Sequence, residues 1–63
     1  MDTSLPLLLT PEEAARRLSL ARSTLYQLLL VGEVASIKIG RSRRIPVEAL
    51  SDFIDRKRRE QGG

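Results

Sequence analysis

Basic side chains form the most distinctive chemical feature of this 63-residue sequence, because they occur in two clusters. One cluster lies between Val34 and Val47, a stretch that contains no acidic residue, and the other is the run from Arg56 to Arg59. Concentrated positive charge attracts a polyanion and is typical of proteins that bind nucleic acid. The side chains of the first cluster that could bind phosphates are those of Lys38, Arg41, Arg43 and Arg44.

Other kinds of chemistry are poorly represented. The sequence has no Cys and no His, which excludes disulfides, a thiolate nucleophile, an imidazole base and the usual zinc sites. Its Ser, Tyr and carboxylate residues show no catalytic arrangement, and a domain of this length is too small for a large cleft. We therefore expect a binding protein with no enzymatic activity and no cofactor. No stretch has the pattern of a signal peptide or membrane span, which favours the cytosol and no membrane partner.

The first helix is predicted from a capping box. The side chain of Thr10 can accept a hydrogen bond from the amide of Glu13, whose carboxylate can reach back, and Pro11 suits the first helical position. Apolar residues at helical spacing then continue to Leu18. A second helix is predicted over residues 22–30, where three leucines share one face. Two such helices joined by a short turn form a helix-turn-helix unit.

A β-hairpin is predicted after Gly32, which can end the second helix in the left-handed conformation. Residues 36–39 alternate, and this predicts a half-buried strand with Ile37 and Ile39 on its inner side. Residues 40–42 can form the turn and residues 43–45 the returning strand. Alternation places Arg43 on the same face as the buried position that follows, so Arg43 belongs either to the tip or to a bulge.

Pro46 is expected to end the hairpin, because it lacks the amide that a continued strand would need. A third helix is predicted over residues 47–59. The basic run at its end is interpreted mainly as a solvated helix terminus, with Asp52 and Asp55 close enough to pair with it. The predicted fold class is therefore α+β, mostly α, in the order helix, recognition helix, two-stranded β-hairpin wing and C-terminal helix.

The predicted domain is flanked by a short segment at each end of the sequence. Residues 1–9 are predicted to be a flexible N-terminal arm whose Leu8 or Leu9 tucks against the domain. The winged helix-turn-helix is assigned to residues 10–60, and residues 61–63 are predicted to be a disordered tail.

Five short motifs occur in a fixed order along this domain: Leu9 to Ala15, Ser23 to Tyr26, Gly32 to Val34, Ile39 to Arg41 and Arg44 to Pro46. In this order they resemble the excisionase-family DNA-binding domain, a small relative of the MerR-type winged helix-turn-helix. The resemblance covers roughly residues 8 to 54. The sequence departs from the family pattern at Ala21, where a capping residue is usual, at Gln27, where a basic residue is frequent, and at Leu30 and Val31, where charged residues are common.

The resemblance implies a protein of a bacterium, phage or integrative element that binds double-stranded DNA in the bacterial cytosol, in association with the nucleoid. Excisionases of this kind bind beside an attachment site and bias an integrase toward excision, so an integrase and further copies of the chain on DNA are expected partners. A small transcription regulator with the same fold is the alternative. A protein-interaction module that presents its positive charge to an acidic partner is a second alternative.

The recognition helix supplies the residues expected to meet the bases, because the first part of this helix faces the base edges in a helix-turn-helix. Arg22 could form two hydrogen bonds with guanine, and Gln27 could do the same with adenine. Ser23 and Thr24 are predicted to contact phosphates or to cap the helix, and the Tyr26 hydroxyl to reach a phosphate. The wing residues predicted to follow the phosphate backbone or to enter a minor groove are Lys38, Arg41, Ser42, Arg43 and Arg44.

Overall fold

The computed structural model describes residues 7–62 and has three helices and three strands in that range. The strands form an antiparallel sheet in the order β1-β3-β2. This architecture confirms the predicted helix, recognition helix, wing and C-terminal helix, and it adds one strand. The elements in chain order are β1 (Leu8–Leu9), α1 (Pro11–Leu18), α2 (Arg22–Leu30), β2 (Ile37–Ile39), β3 (Ser42–Pro46) and α3 (Val47–Gly62).

Helix α1 begins and ends as its sequence predicts. The Glu13 amide donates to Oγ1 of Thr10 at 3.1 Å, and the Thr10 amide donates to Oε1 of Glu13 at 2.9 Å, so both halves of the capping box are formed. The helix ends at Ser19, which adopts a left-handed conformation with φ of 57°. The amide of Leu20 then donates to the carbonyl of Ala15 at 2.9 Å, which closes the last turn before the link to α2.

Helix α2 has a well-formed C-terminus and a weak N-terminus. Gly32 adopts the predicted left-handed conformation, with φ of 80°, and the Glu33 amide donates to the Leu28 carbonyl at 2.9 Å. This is the Schellman arrangement that satisfies the last carbonyls of a helix. At the other end, Ala21 occupies the cap position in an extended conformation, and its methyl group can accept no hydrogen bond from the helix amides.

Strand β1 corrects the description of residues 1–9 as a flexible arm. Leu9 pairs with Ile45 of β3, and both side chains are fully buried; Leu8 pairs with Pro46. The amide of Val47 also donates to the carbonyl of Leu7 at 3.1 Å. A two-residue strand is too short to show alternation, and its partner lies far along the chain, so the sequence contains no signal for it beyond the expected packing of Leu8 or Leu9 against the domain. The part of the predicted arm before Leu7 lies outside the described residues.

The hairpin has a regular register and no bulge. Lys38 pairs with Arg43 and Ile39 with Ser42, which leaves Gly40 and Arg41 as a two-residue turn. Gly40 has φ of 61°, as expected for the first central residue of such a turn. Both predicted alternatives for Arg43, the tip and a bulge, were therefore wrong.

Arg43 does share a face of β3 with the buried Ile45, as alternation requires. It is nevertheless exposed, as is Lys38, its partner on the same face. Ile37 and Ile39 lie on the opposite face and are 44% and 54% exposed, so the prediction that they point into the core was wrong. The strand also begins at Ile37 rather than at Ser36.

The core lies where α1, α2, β1, β3 and the first turn of α3 meet. Leu25 of α2 and Val34 of the following turn are almost completely buried against it, and no charged side chain is buried in residues 7–62. The buried hydrophobic residues of this core are Leu9, Ala14, Ala15, Leu25, Val34, Ile45, Ala49 and Leu50.

Helix α3 is longer than predicted. It continues through Gln61 and Gly62, which were expected to belong to a disordered tail, whereas Gly63 lies outside the described residues. Basic side chains near a helix C-terminus interact favourably with its dipole, and Lys57 pairs with Glu60 one turn later at 3.2 Å. Both contacts favour the helical conformation at this end of α3. Within the described range, no helix is long and apolar enough to cross a membrane.

The weak cap of α2 leads to a stability prediction. Ala21→Ser should stabilise the fold by about 1 kcal/mol, because a serine hydroxyl in this extended conformation can accept a hydrogen bond from an amide of the first turn. Thermal unfolding followed by circular dichroism should show a midpoint higher by about 4–8 °C. Ala35→Ser, at an exposed position outside the helices, is the matched control and should leave the midpoint unchanged. Equal midpoints for Ala21→Ser and the parent chain would contradict the prediction.

Candidate nucleic-acid interface

All five predicted recognition residues are exposed on α2. Leu25 points into the core and is fully buried, and this orients the rest of the helix. The exposed side chains on α2 include those of Arg22, Ser23, Thr24, Tyr26 and Gln27.

These five residues divide between two sides of the helix. Thr24 lines a groove of about 970 Å³ between α2, the end of α1 and α3, together with Leu28 and Phe53. Ser23 and Gln27 are four residues apart and therefore share an exposed row away from that groove. The structure thus groups Ser23 and Gln27 and sets Thr24 apart from them.

Arg22 and Tyr26 meet a third residue that the sequence analysis did not assign to the site. Oε2 of Glu12, in the first turn of α1, lies 3.4 Å from Nε of Arg22 and accepts a hydrogen bond from the Tyr26 hydroxyl at 3.1 Å. The Arg22 guanidinium lies 5.7 Å from the centroid of the Tyr26 ring. The only available sequence signal was that α1 must pack on α2 near its start, and this does not specify side-chain partners.

The carboxyl group of Glu12 is held in its charged form. A hydrogen bond from its own backbone amide is the main reason why its pKa is lowered. The hydrogen bond from the Tyr26 hydroxyl and the charge of Arg22 lower the pKa further. The three side chains form a hydrogen-bonded and ion-paired unit, which we call the Glu12 cluster.

The wing presents its charges on two faces and at its tip. Lys38 and Arg43 are directly opposite each other on one face, both exposed, and Arg41 is exposed at the turn. Ser42 and Arg44 lie on the other face and are half-buried. The five predicted wing residues are therefore close in space, but only Lys38, Arg41 and Arg43 are fully exposed.

Two hydrogen bonds orient the wing arginines. Nη1 of Arg43 donates to Oγ of Ser36 at 2.8 Å, and Nη1 of Arg44 donates to the Arg43 carbonyl at 3.0 Å. Like charges directly opposite each other in an antiparallel pair are destabilising, so Lys38 and Arg43 repel each other across the strands. In residues 7–62, no carboxylate forms an ion pair with either of them.

The wing and α2 face the same side of the molecule. A cleft of about 330 Å³ is lined by Tyr26, Leu29 and Leu30 of α2 and by Arg43 of the wing. Leu30 is 82% exposed at this cleft, and Val31 next to it is 66% exposed, so these two departures from the family pattern form an apolar surface. One ligand could therefore contact this side of α2 and the wing together.

The second basic cluster is partly used within the fold. Arg56 donates to the backbone carbonyl of Glu33 and lies 3.3 Å from its carboxylate, and Lys57 lies 3.5 Å from the same carboxylate. The predicted pairing with Asp52 and Asp55 was wrong, because neither forms an ion pair within the described part of the chain. The partners are Glu33, which follows α2, and Glu60.

Together, the helix pair, the exposed start of the second helix and the basic hairpin beside it define a winged helix-turn-helix DNA-binding domain. Residues 8–58 match the protein family described as "Helix-turn-helix domain". A "Probable excisionase" of Saccharopolyspora erythraea is 51% identical over 49 residues, which cover 78% of this chain and 50% of that protein. An "Excisionase" of Streptomyces ambofaciens is 46% identical over 54 residues, which cover 86% of this chain and 87% of that protein.

The chain belongs to the excisionase family of helix-turn-helix domains, which confirms the resemblance found in the sequence. It spans about half the length of the Saccharopolyspora relative and most of the length of the Streptomyces relative. No solved structure matches the chain.

The contact between Glu33 and α3 predicts an acid-dependent stability. The hydrogen bond from Arg56 is the main cause that lowers the pKa of Glu33, and the charge of Lys57 lowers it further. A carboxyl group whose pKa is lower in the folded state stabilises the fold above its unfolded pKa, and this contribution is lost as the pH falls through the folded pKa. Glu33→Gln should therefore lower the thermal midpoint at pH 7, by a few degrees at most because exposed ion pairs are weak.

Thermal unfolding of the parent chain and of Glu33→Gln between pH 7 and pH 2 measures this effect. The two midpoints should converge as the pH falls. The control is Asp55→Asn, since Asp55 is exposed, lies in the middle of α3 and forms no ion pair within residues 7–62. A midpoint difference for Glu33→Gln that stays constant over this pH range would show that the charge of Glu33 is not the cause.

Proposed function

We propose that this chain is an excisionase that binds double-stranded DNA beside an attachment site and biases an integrase toward excision. The observation that supports the DNA-binding mode is the cleft lined by Tyr26, Leu30 and Arg43, because it puts an exposed side of α2 next to a basic residue of the wing. The role in excision is supported by the 46% identity to the Streptomyces excisionase over most of both chains.

In this proposal α2 enters the major groove. Arg22 at its first turn offers two parallel donors to the O6 and N7 atoms of guanine, and Gln27 one turn later can pair with adenine. Ser23 lies between them in sequence and contacts a phosphate. The first amides of α2 have no side-chain cap at Ala21, so they also remain available to an anionic oxygen.

The wing contacts the neighbouring backbone. Lys38 and Arg43 repel each other in the free protein, and phosphates placed between them would relieve that repulsion. Arg41 extends the same positive surface to the tip. A contact with about 4 to 6 phosphates would give a log-log dependence of affinity on salt with a slope of about −4 to −5.

One domain of this size can distinguish few base pairs, because α2 has nine residues and a buried or half-buried inner face. Useful specificity then requires several copies side by side or a partner that is already bound to the DNA. An integrase at an attachment site meets this requirement. This is the physical reason to place the chain in a recombination complex rather than to treat it as an independent binder.

The excision role predicts a footprint and a recombination effect. The chain should protect DNA beside the attachment site of the element that encodes it, and it should raise the yield of excision by the cognate integrase in a reaction with purified components. Protection of a promoter alone, without an effect on excision, would favour a transcription regulator. Failure to retard any duplex at low salt and micromolar concentration would exclude DNA binding and favour a protein-interaction module.

The two contact surfaces should respond differently to mutation. Replacing Arg41 and Arg43 by Ala should weaken binding to every duplex about tenfold or more and reduce the salt slope by about 2. Arg22→Ala should instead reduce discrimination at one or two base pairs about tenfold or more, with a smaller effect on random DNA. The double variant Arg58→Ala/Arg59→Ala removes the same charge from α3 and should change the slope less than the wing variant. If Arg22→Ala leaves base preference unchanged, α2 is not oriented as proposed.

A further inference from the structure

We propose that Glu12 is a positioning residue for base recognition, which holds the guanidinium of Arg22 in the orientation that reads a base pair. This inference rests on the proposed contact between α2 and DNA. It concerns a residue of α1 that makes no contact with the bases itself.

The geometry of the Glu12 cluster supports this role. Oε2 of Glu12 lies 3.4 Å from Nε of Arg22, the nitrogen closest to the backbone, and the Arg22 side chain is still 70% exposed. A guanidinium engaged at Nε keeps its two terminal nitrogens as a pair of parallel donors, which is the arrangement that two acceptors of guanine require. The Tyr26 ring, 5.7 Å from the guanidinium, limits its movement from another direction.

The ion pair between Glu12 and Arg22 contributes too little to the stability of the fold for stability to be its main role. Exposed pairs of this kind contribute little to folding, and Glu12 is 43% exposed at its side chain. An arginine has large rotamer entropy, and a side chain that is ordered before binding loses less entropy when it binds. The contribution of Glu12 should therefore appear in the binding of DNA rather than in the free energy of unfolding.

Glu12 is not needed to cap α1, because its neighbour Glu13 forms the capping box. Glu13 closes the capping box with Thr10, so the carboxylate of Glu12 is not needed to begin α1. The Tyr26 hydroxyl donates to Oε2 of Glu12, which links this carboxylate to α2 at a second point.

A carboxylate at this place also has a cost. It stands beside a surface that must approach phosphates, and its negative charge opposes binding to any duplex. A positioning role therefore predicts two effects of opposite sign when the charge is removed. Discrimination between base pairs should fall, and affinity for random DNA should stay the same or rise.

The test uses Glu12→Ala and a duplex selected from a random pool by the parent chain. Dissociation constants are measured for this duplex, for duplexes changed at each base pair in turn and for random DNA. For Glu12→Ala we expect discrimination at the base pair read by Arg22 to fall about three- to tenfold, without a loss of affinity for random DNA. Glu12→Gln keeps an acceptor for the Tyr26 hydroxyl but not the charge, and it should give an intermediate loss.

A double-mutant cycle separates positioning from a general structural effect. In the Arg22→Ala background, Glu12→Ala should cause no further loss of discrimination, because the side chain that it orients is absent. Glu48→Ala removes the same charge from the exposed start of α3 and should leave discrimination unchanged.

The inference is overturned if Glu12→Ala and Glu12→Gln keep the parent discrimination, or if the loss is equally large in the Arg22→Ala background. Glu12→Gln covers the case in which the alanine variant does not fold. A parent chain that binds no duplex, or binds all duplexes equally, would instead refute the proposed function of α2.

Discussion

The pairing of Leu9 with Ile45 is the contact on which the rest of the structure depends. Both side chains are fully buried, and they connect the start of the chain to the strand that forms the inner half of the wing. In a chain of 63 residues the core is small, so each large buried side chain carries a substantial share of the stabilisation. Since β3 runs directly from this contact to the hairpin tip, the same pair also sets the direction in which the wing projects.

Features that depend on local sequence could be predicted, and those that depend on distant contacts could not. The capping box at Thr10 and the left-handed Gly32 determine the ends of α1 and α2, because each acts within a few residues. Strand β1 was missed because two residues have no periodicity. Ile37 and Ile39 alternate correctly but on the outer face, since alternation shows that two faces differ and not which face meets the core.

The candidate site shows the same division. Position on the second helix selects five residues, all of them exposed, whose contact with DNA stays a prediction: Arg22, Ser23, Thr24, Tyr26 and Gln27. The partners of these side chains could not be predicted. Contacts between Glu12 and Tyr26, or between Arg56 and Glu33, require the packing angles of helices and turns, which are set by the buried residues between them. Charged residues that cannot be distinguished in the sequence therefore have different partners in the structure.

The place of β2 at the edge of the sheet has a consequence for the solubility of the chain. An exposed edge strand invites pairing with the edge of another molecule, and Ile37 and Ile39 make this strand apolar on its outer face. Lys38 lies between these two residues in sequence but projects from the opposite face of the strand, directly opposite Arg43. Two wings that approached edge to edge would bring four positive charges together. The charge pattern thus opposes edge-to-edge pairing of two wings.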